Sequence, residues 1–282
     1  NARQARELAQ VLGRSVGVLV DLPGPKIRSG LVVGDAVELE SGQEFVLSGH
    51  DDGHGDAQHV ATTLPALAQW ARRGDDVYLA DGAIVLRVLE AVGDDVRTEV
   101  VRGGTLRSRK GMHLPRAEEH VDPFTDRDAR ALEMAVAAKV DFLGLSFVRR
   151  AEDVEQVRAL LPRRGMRPAL IAKIETASAV DNLAGIINAA DGVMVARGDL
   201  GIQMPARRVP LLQKEIIRFC NQAGKPVITA TQMLESMTRS PLPTPLVPAT
   251  PKEGLARSRG GERARESGRG LASLRRDEPG RR

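Results

Sequence analysis

Between residues 126 and 231 the chain alternates segments of helical periodicity with short apolar runs. DRDARALEMAVAAK is followed by VDFLGLSF, AEDVEQVRALL by ALIAKIE, TASAVDNLAGIINA by GVMVARGD, and RVPLLQKEIIRFCNQAG by PVITATQ. Apolar residues at i, i+3 and i+4 mark an amphipathic helix, and a short continuous apolar run marks a strand covered on both faces. Their regular alternation predicts repeated βα units with parallel strands. A polar residue closes each run, at Ser146, Glu175, Asp199 and Thr231, at separations of 29, 24 and 32 residues. A (β/α)8 barrel of about 250 residues averages roughly 31 per unit and gathers its chemistry where the strands end. A doubly wound open sheet gives similar intervals, so both α/β architectures stand at this point.

Upstream the texture differs. Residues 2–12 (ARQARELAQVL) have helical spacing, and VGVLVDL at 16–22 reads as a buried strand stopped by Pro23-Gly24-Pro25. From 26 to about 115 the chain consists of short alternating segments such as DAVELE, EFVLSG, DVYLAD, AIVLRVLEAV and DVRTEVV, with turn signals at Gly42, Gly74, Gly82 and Gly93-Asp94. Period-two alternation between glycine turns predicts a small antiparallel β-domain.

The formal charge of +4 means little until it is divided along the chain. Residues 245–282 hold 10 Lys+Arg and 5 Asp+Glu, leaving 31 bases and 32 acids in 1–244. The body is near neutral, while the Arg/Gly/Pro-rich tail has few large apolar residues and no period, which predicts disorder. No apolar stretch approaches the roughly 18–20 residues of a membrane helix, and no basic-then-apolar leader opens the chain, so a cytoplasmic location is expected. The single cysteine, Cys220, excludes an internal disulfide and a Cys-based zinc site and reads as a buried thiol.

Lys173 and Glu175 are two apart on a strand and face the same side. Asp199 is expected at the end of the next strand, in VMVARGDLG, where Ala196 and Gly198 let a ligand approach the backbone. Two carboxylates from adjacent strand ends, without surplus His or Cys, suit a hard ion such as Mg²⁺. The competing reading makes Lys173, Glu175 and Arg197 structural ion pairs. His50, His54 and His59, in GHDDGHGDAQH, read as part of a solvated loop rather than a metal site. Gly224-Lys225 is followed by Pro226 and is no P-loop, and no nucleophile–His–acid triad suggests itself.

DLPGPKIRSG, GLSFVRRAEDV, LIAKIETASAVDNL, DGVMVARGDLGIQMP and GKPVITATQMLESMTRSPLPT occur in this order, with the β-domain between the first two. Together they resemble pyruvate kinases over residues 1–244. The resemblance implies a (β/α)8 TIM barrel with an inserted β-barrel lid. Its segments would be 1–24 (helix and strand three), 25–118 (the lid) and 119–244 (strands four to seven), followed by the disordered tail 245–282. It also implies phosphoryl transfer from phosphoenolpyruvate to ADP, giving pyruvate and ATP in glycolysis. Position by position, it puts Mg²⁺ (or Mn²⁺) on Glu175 and Asp199 and makes Lys173 and Thr231 catalytic. Substrate would meet Lys173, Thr231 and the backbone at Gly198 and Asp199. Arg28 and Lys110 would reach the nucleotide phosphates, and Asp21 with the Leu22 carbonyl would belong to a K⁺ site. Taken singly, Arg28 and Lys110 could be solvated charges, Asp21 a turn cap and Thr231 a packed strand residue.

The same resemblance implies two barrel strands before residue 1, one bearing an R-L-N-F-S-H-G-like motif, and an eighth strand and C-terminal domain after Thr244. The chain is therefore expected to be a fragment with bare edges at strands three and seven, prone to partial folding or rescue by association. The tail is expected to be an out-of-frame reading, and a complete chain to be a homotetramer. Two other readings stay open: an Mg²⁺-dependent C–C lyase on a similar barrel, and a non-catalytic fragment whose basic tail binds nucleic acid. No aromatic residue occurs in that tail for base stacking.

Overall fold

The computed structural model of the chain describes residues 2–50, 53–161 and 167–230. Thr231 and the tail 245–282 lie outside these residues. The predicted first helix forms as α1 (Ala2–Val11), and the apolar run before Pro23 narrows to β1 (Leu19–Leu22). Then follow β2 (Leu31–Val32), β3 (Ala36–Leu39), β4 (Glu44–Ser48), β5 (His54–Gly55), β6 (His59–Ala61), α2 (Leu67–Trp70) and β7 (Asp76–Leu79). The long hairpin β8 (Ile84–Val92) and β9 (Asp95–Arg102) leads to β10 (Gly104–Arg107), β11 (Met112–His113) and α3 (Pro115–Glu118).

The alternating part begins with α4 (Asp126–Ala137), β12 (Phe142–Leu145), α5 (Ala151–Leu160) and β13 (Ala169–Ile174). It continues with α6 (Ala177–Asp181), α7 (Leu183–Ala189), β14 (Gly192–Ala196), α8 (Arg197–Gln203), α9 (Val209–Gln222) and β15 (Val227–Ala230). The single helix expected over 176–189 is two, broken at Asn182, whose φ of −102° and ψ of 17° leave the helical region. Among the described residues no helix is long and apolar enough to cross a membrane.

The chain separates into two compact units, one of Pro23–Ala129 and one of the residues up to Leu22 with those from Arg130 onward. The sequence reading put these limits at 24/25 and 118/119. The difference has a physical cause within the unit 23–129. Leu114 and Ala117 are fully buried in its core, His120 stacks on Trp70 at 3.8 Å between ring centroids, and Asp128 accepts the Gly24 N–H at 2.9 Å.

In that unit a six-stranded sheet runs in the order β11-β7-β8-β9-β4-β6, beside the pairs β10-β3 and β2-β5. Along β8, Ile84, Leu86 and Val88 are buried while Val85, Arg87 and Leu89 are not, the alternation of a one-faced strand. With Phe45, Leu47, Val77, Leu79, Val96 and Val100 they form the core. Each such apolar side chain contributes about 1.5–3 kcal/mol by leaving water. Gly93, at φ 61°, turns β8 into β9. The expected antiparallel pattern holds for β3–β10, β7–β11, β4–β9, β7–β8 and β8–β9, whereas β4–β6 and β2–β5 are parallel. The segment 49–58 separates the end of β4 from the start of β6, and β6 runs in the same direction as β4. That segment contains β5, so the histidine-rich stretch is partly strand rather than simply loop.

The other unit holds one parallel sheet in the order β1-β12-β13-β14-β15. Strands adjacent in this series are adjacent in space, and the order never reverses. That is the order of a barrel wall; a doubly wound sheet has a switch point where the order turns back. Val193 and Val195 of β14 are fully buried, as are Leu170, Ala172 and Ile174 of β13. α9 buries Val209, Leu212, Ile216 and Cys220, one stripe at helical spacing.

Candidate active site

The polar residues that follow the parallel strands converge. Lys173 lies near the end of β13 and Glu175 just past it, and Lys173 Nζ donates to Glu175 Oε1 at 2.9 Å. The same ammonium donates to Ser146 Oγ at 2.8 Å, directly beyond β12. Asp21 of β1 brings its Oδ2 to 3.8 Å from it. Glu175 is 1 % exposed, and its Oε2 accepts the Phe147 N–H at 2.8 Å. Phe147 has φ 56°, a left-handed conformation that a bulky side chain seldom adopts and that surrounding structure must hold.

Burial works against the charge on Lys173. The carboxylates of Glu175, Asp21 and Asp199 outweigh it, so the ammonium keeps its proton above the ordinary lysine range. Burial raises the Glu175 carboxyl; Lys173 and the Phe147 amide pull it down, Asp199 adds to the rise, and the balance lies above the ordinary value. Asp199 is thus felt by both partners. It does not close β14 as expected: the strand stops at Ala196 and Asp199 sits in the first turn of α8. The chain passes from strand to helix without a loop because Ala196 (φ −90°, ψ 82°) makes the turn alone. Arg197, 1 % exposed, donates from Nε to the Ala230 carbonyl at 3.2 Å and ties the start of α8 to the end of β15.

Among the described residues no cluster of three or more His, Cys, Asp and Glu could hold a metal by itself. Glu175 and Asp199 nonetheless suit a divalent cation that takes its other ligands from substrate and water. Each Glu175 oxygen engages one hydrogen bond and keeps a lone pair for a cation. The donors are all oxygen, which favours a hard ion over zinc or copper. The Leu22 carbonyl accepts the Ser146 N–H at 3.3 Å, so Asp21 and Leu22 stand beside the corner that holds the lysine.

Arg28 and Lys110 belong to the unit 23–129 and meet there. Arg28 bridges Gly111, Ser29 N–H donates to the Lys110 carbonyl at 2.8 Å, and Lys110 N–H donates to Ser29 Oγ at 3.0 Å. Arg28 Nη1 donates to the Arg109 carbonyl at 3.1 Å. Thr231 lies outside the described residues. His50 contacts Asp94 at 2.8 Å and His59 contacts Asp56 at 3.1 Å, while His54 opens β5. Lys225 Nζ donates to the Ala190 carbonyl at 2.8 Å, a structural role. Sequence reasoning marked Ser146 only as a strand-closing residue and missed both Phe147 and Gly144. A Cβ at Gly144 would lie 2.1 Å from Asp21 Oδ1, so Asp21 occupies the space that this glycine leaves.

The model of the pyruvate kinase barrel domain matches residues 1–246. The pyruvate kinase of Thermococcus litoralis is 44% identical over 238 residues, 84% of this chain and 50% of that relative. That of Thermotoga maritima is 41% identical over 239 residues, 85% of this chain and 51% of the relative. Among solved structures, a pyruvate kinase from Cryptosporidium parvum superposes with a TM-score of 0.75 at 35% identity, covering 86% of this chain and 51% of the other. The chain spans about half the length of the curated relatives it matches.

Proposed function

This chain belongs to the pyruvate kinase family and has its α/β barrel fold, and on that premise we propose that it carries the central part of a phosphoryl-transfer site. The reaction is phosphoenolpyruvate + ADP to pyruvate + ATP. The bond between the enol oxygen and phosphorus breaks, a bond from the ADP terminal phosphate to phosphorus forms, and the enolate carbon takes up a proton. Such chemistry needs positioned positive charge more than covalent help. The observation that carries the reading is the Lys173 ammonium, fixed by Ser146 and Glu175 and kept protonated by its carboxylates.

Lys173 offers its charge to the transferring phosphoryl group and the developing enolate. Glu175 and Asp199 would hold Mg²⁺ or Mn²⁺, whose chemistry is to neutralise phosphoryl and enolate oxygens. The backbone around Gly198 and Asp199 would take the substrate carboxylate, and Thr231 would stand near the carbon to be protonated. Arg28 and Lys110, adjacent in the unit 23–129, would meet the nucleotide phosphates, with that unit serving as the lid. Asp21 and the Leu22 carbonyl would bind K⁺. A cytoplasmic location, and the homotetramer that the family resemblance implies, belong to the same reading.

A coupled assay of pyruvate formation from phosphoenolpyruvate and ADP, with and without Mg²⁺ and K⁺, tests the reading. Turnover lost in K173M and E175Q is expected. Turnover unchanged in both variants, or aldol-type cleavage of a keto acid in its place, sinks it. The relatives named above are all pyruvate kinases, which leaves the lyase and nucleic-acid readings unfavoured.

A further inference from the structure

We propose that Ser146 is a positioning residue for Lys173, and that its hydroxyl keeps the ammonium in place when a cation draws on Glu175. The catalytic consequence rests on the phosphoryl-transfer reading above; the positioning rests on geometry alone. An ammonium has three donors and no acceptor. Here one donor meets Ser146 Oγ at 2.8 Å and another Glu175 Oε1 at 2.9 Å, while Asp21 at 3.8 Å lies beyond hydrogen-bond reach. Of the two close acceptors only Glu175 is charged, and it is also the candidate cation ligand. Once its negative charge is shared with a dication, its hold on Lys173 weakens, and the dication itself repels the ammonium.

The Ser146 hydroxyl is neutral, so a cation on Glu175 takes little from it. The serine is 7 % exposed and cannot simply be exchanged for water. Its placement is fixed by its neighbours. Ser146 N–H donates to the Leu22 carbonyl at 3.3 Å, and Phe147 next to it is held left-handed with its N–H on Glu175 Oε2 at 2.8 Å. One two-residue corner after β12 thus grips the lysine through a side chain and the glutamate through the backbone. The corner adds to the mutual attraction of ammonium and carboxylate a second hold on each of them.

The test compares S146A, which deletes the acceptor at almost constant shape, with S146T, which restores a hydroxyl. At one fixed pH, with Mn²⁺ present, acylation of Lys173 is followed by mass spectrometry on the intact chain. We expect Lys173 to be labelled several-fold faster in S146A and at the unsubstituted rate in S146T. Turnover should fall in S146A by roughly 10- to 100-fold in kcat, with KM for ADP unchanged, and be largely recovered in S146T. Unchanged labelling in S146A overturns the positioning role, and changed labelling with unchanged kcat overturns its catalytic consequence. If the unsubstituted chain itself shows no turnover, the failure belongs to the phosphoryl-transfer reading, and labelling alone decides the positioning. Should S146A melt early, S146C, with a weakly accepting sulfur in the same place, is labelled instead and is expected to behave as S146A.

Discussion

Asp21 approaches Lys173 from two strands away, at 3.8 Å, because the strand between them carries Gly144 where a side chain would stand in the path. β1 and β13 are not neighbours; β12 separates them, with Asp21 in register with Gly144. The pair is therefore a cross-strand contact made through a gap.

Gly144→Ala should break this contact at little expense to the fold. The added carbon would sit 2.1 Å from Asp21 Oδ1, the far end of a side chain that is half exposed and can turn away. We expect a stability loss of under about 1.5 kcal/mol by chemical denaturation, with the Asp21–Lys173 approach lost in a crystal structure of the variant. A loss of about 3 kcal/mol or more would mean that the gap is needed for packing rather than for Asp21.

Cation binding should weaken on acidification earlier than for an ordinary carboxylate site. Glu175 must be ionised to serve as a ligand, and its carboxyl is raised by burial, so protons compete from a higher pH. Mn²⁺ affinity followed by electron paramagnetic resonance should fall by up to about tenfold per pH unit below the raised value. For stability the sign is the opposite of the usual carboxylate. The contribution is present below the ordinary glutamate value and lost as pH rises through the raised one. E175Q should therefore abolish Mn²⁺ binding and flatten the fall of Tm as pH rises through the raised Glu175 value, and an unaltered slope would contradict that raised carboxyl.

Much of this was legible in the sequence, and what was not has a common cause. The Lys173–Glu175 pair follows from i, i+2 geometry on one strand, and the turn glycines Gly42, Gly74, Gly82 and Gly93 all adopt positive φ. Information local in the chain survives into the fold. The contact of Asp21 with Lys173, the bridge from Arg28 to Gly111 and the parallel pairing of β4 with β6 each depend on register between distant segments. No periodicity encodes that register. Asp199 fell between the two: its residue type is visible, but whether it closes a strand or opens a helix depends on the backbone at Ala196.

Cys220 should report unfolding. It is fully buried on α9, and burial pushes its thiol up to about 11. A disulfide reagent at pH 8 should react with it only at the rate of global opening, and fast only in denaturant. Immediate stoichiometric reaction with the folded chain would contradict the burial.

Asp128 should matter more than its place outside the candidate site suggests. Fully buried, it accepts the N–H of Gly24 at 2.9 Å, the N–H of Thr125 at 2.9 Å and the hydroxyl of Thr125 at 2.5 Å. Asp128→Ala leaves these donors without their carboxylate, and we expect a loss of about 2–4 kcal/mol by urea denaturation. A value under about 1 kcal/mol would show that water replaces the carboxylate freely.

That aspartate also bears on the order in which the molecule assembles. β1 and β12 are ladder partners, yet the whole segment 23–129 lies between them in the chain. Closing a flexible loop of that length forfeits on the order of 4 kcal/mol of chain entropy before the first ladder bond forms. The bond from Gly24 to Asp128 draws the two ends of the inserted segment together within that segment's own fold. Once the segment has folded, the remaining search joins two chain ends already side by side. Formation of the parallel sheet should then be the slow, late phase of refolding, and its rate should track the integrity of a unit that contributes none of its strands.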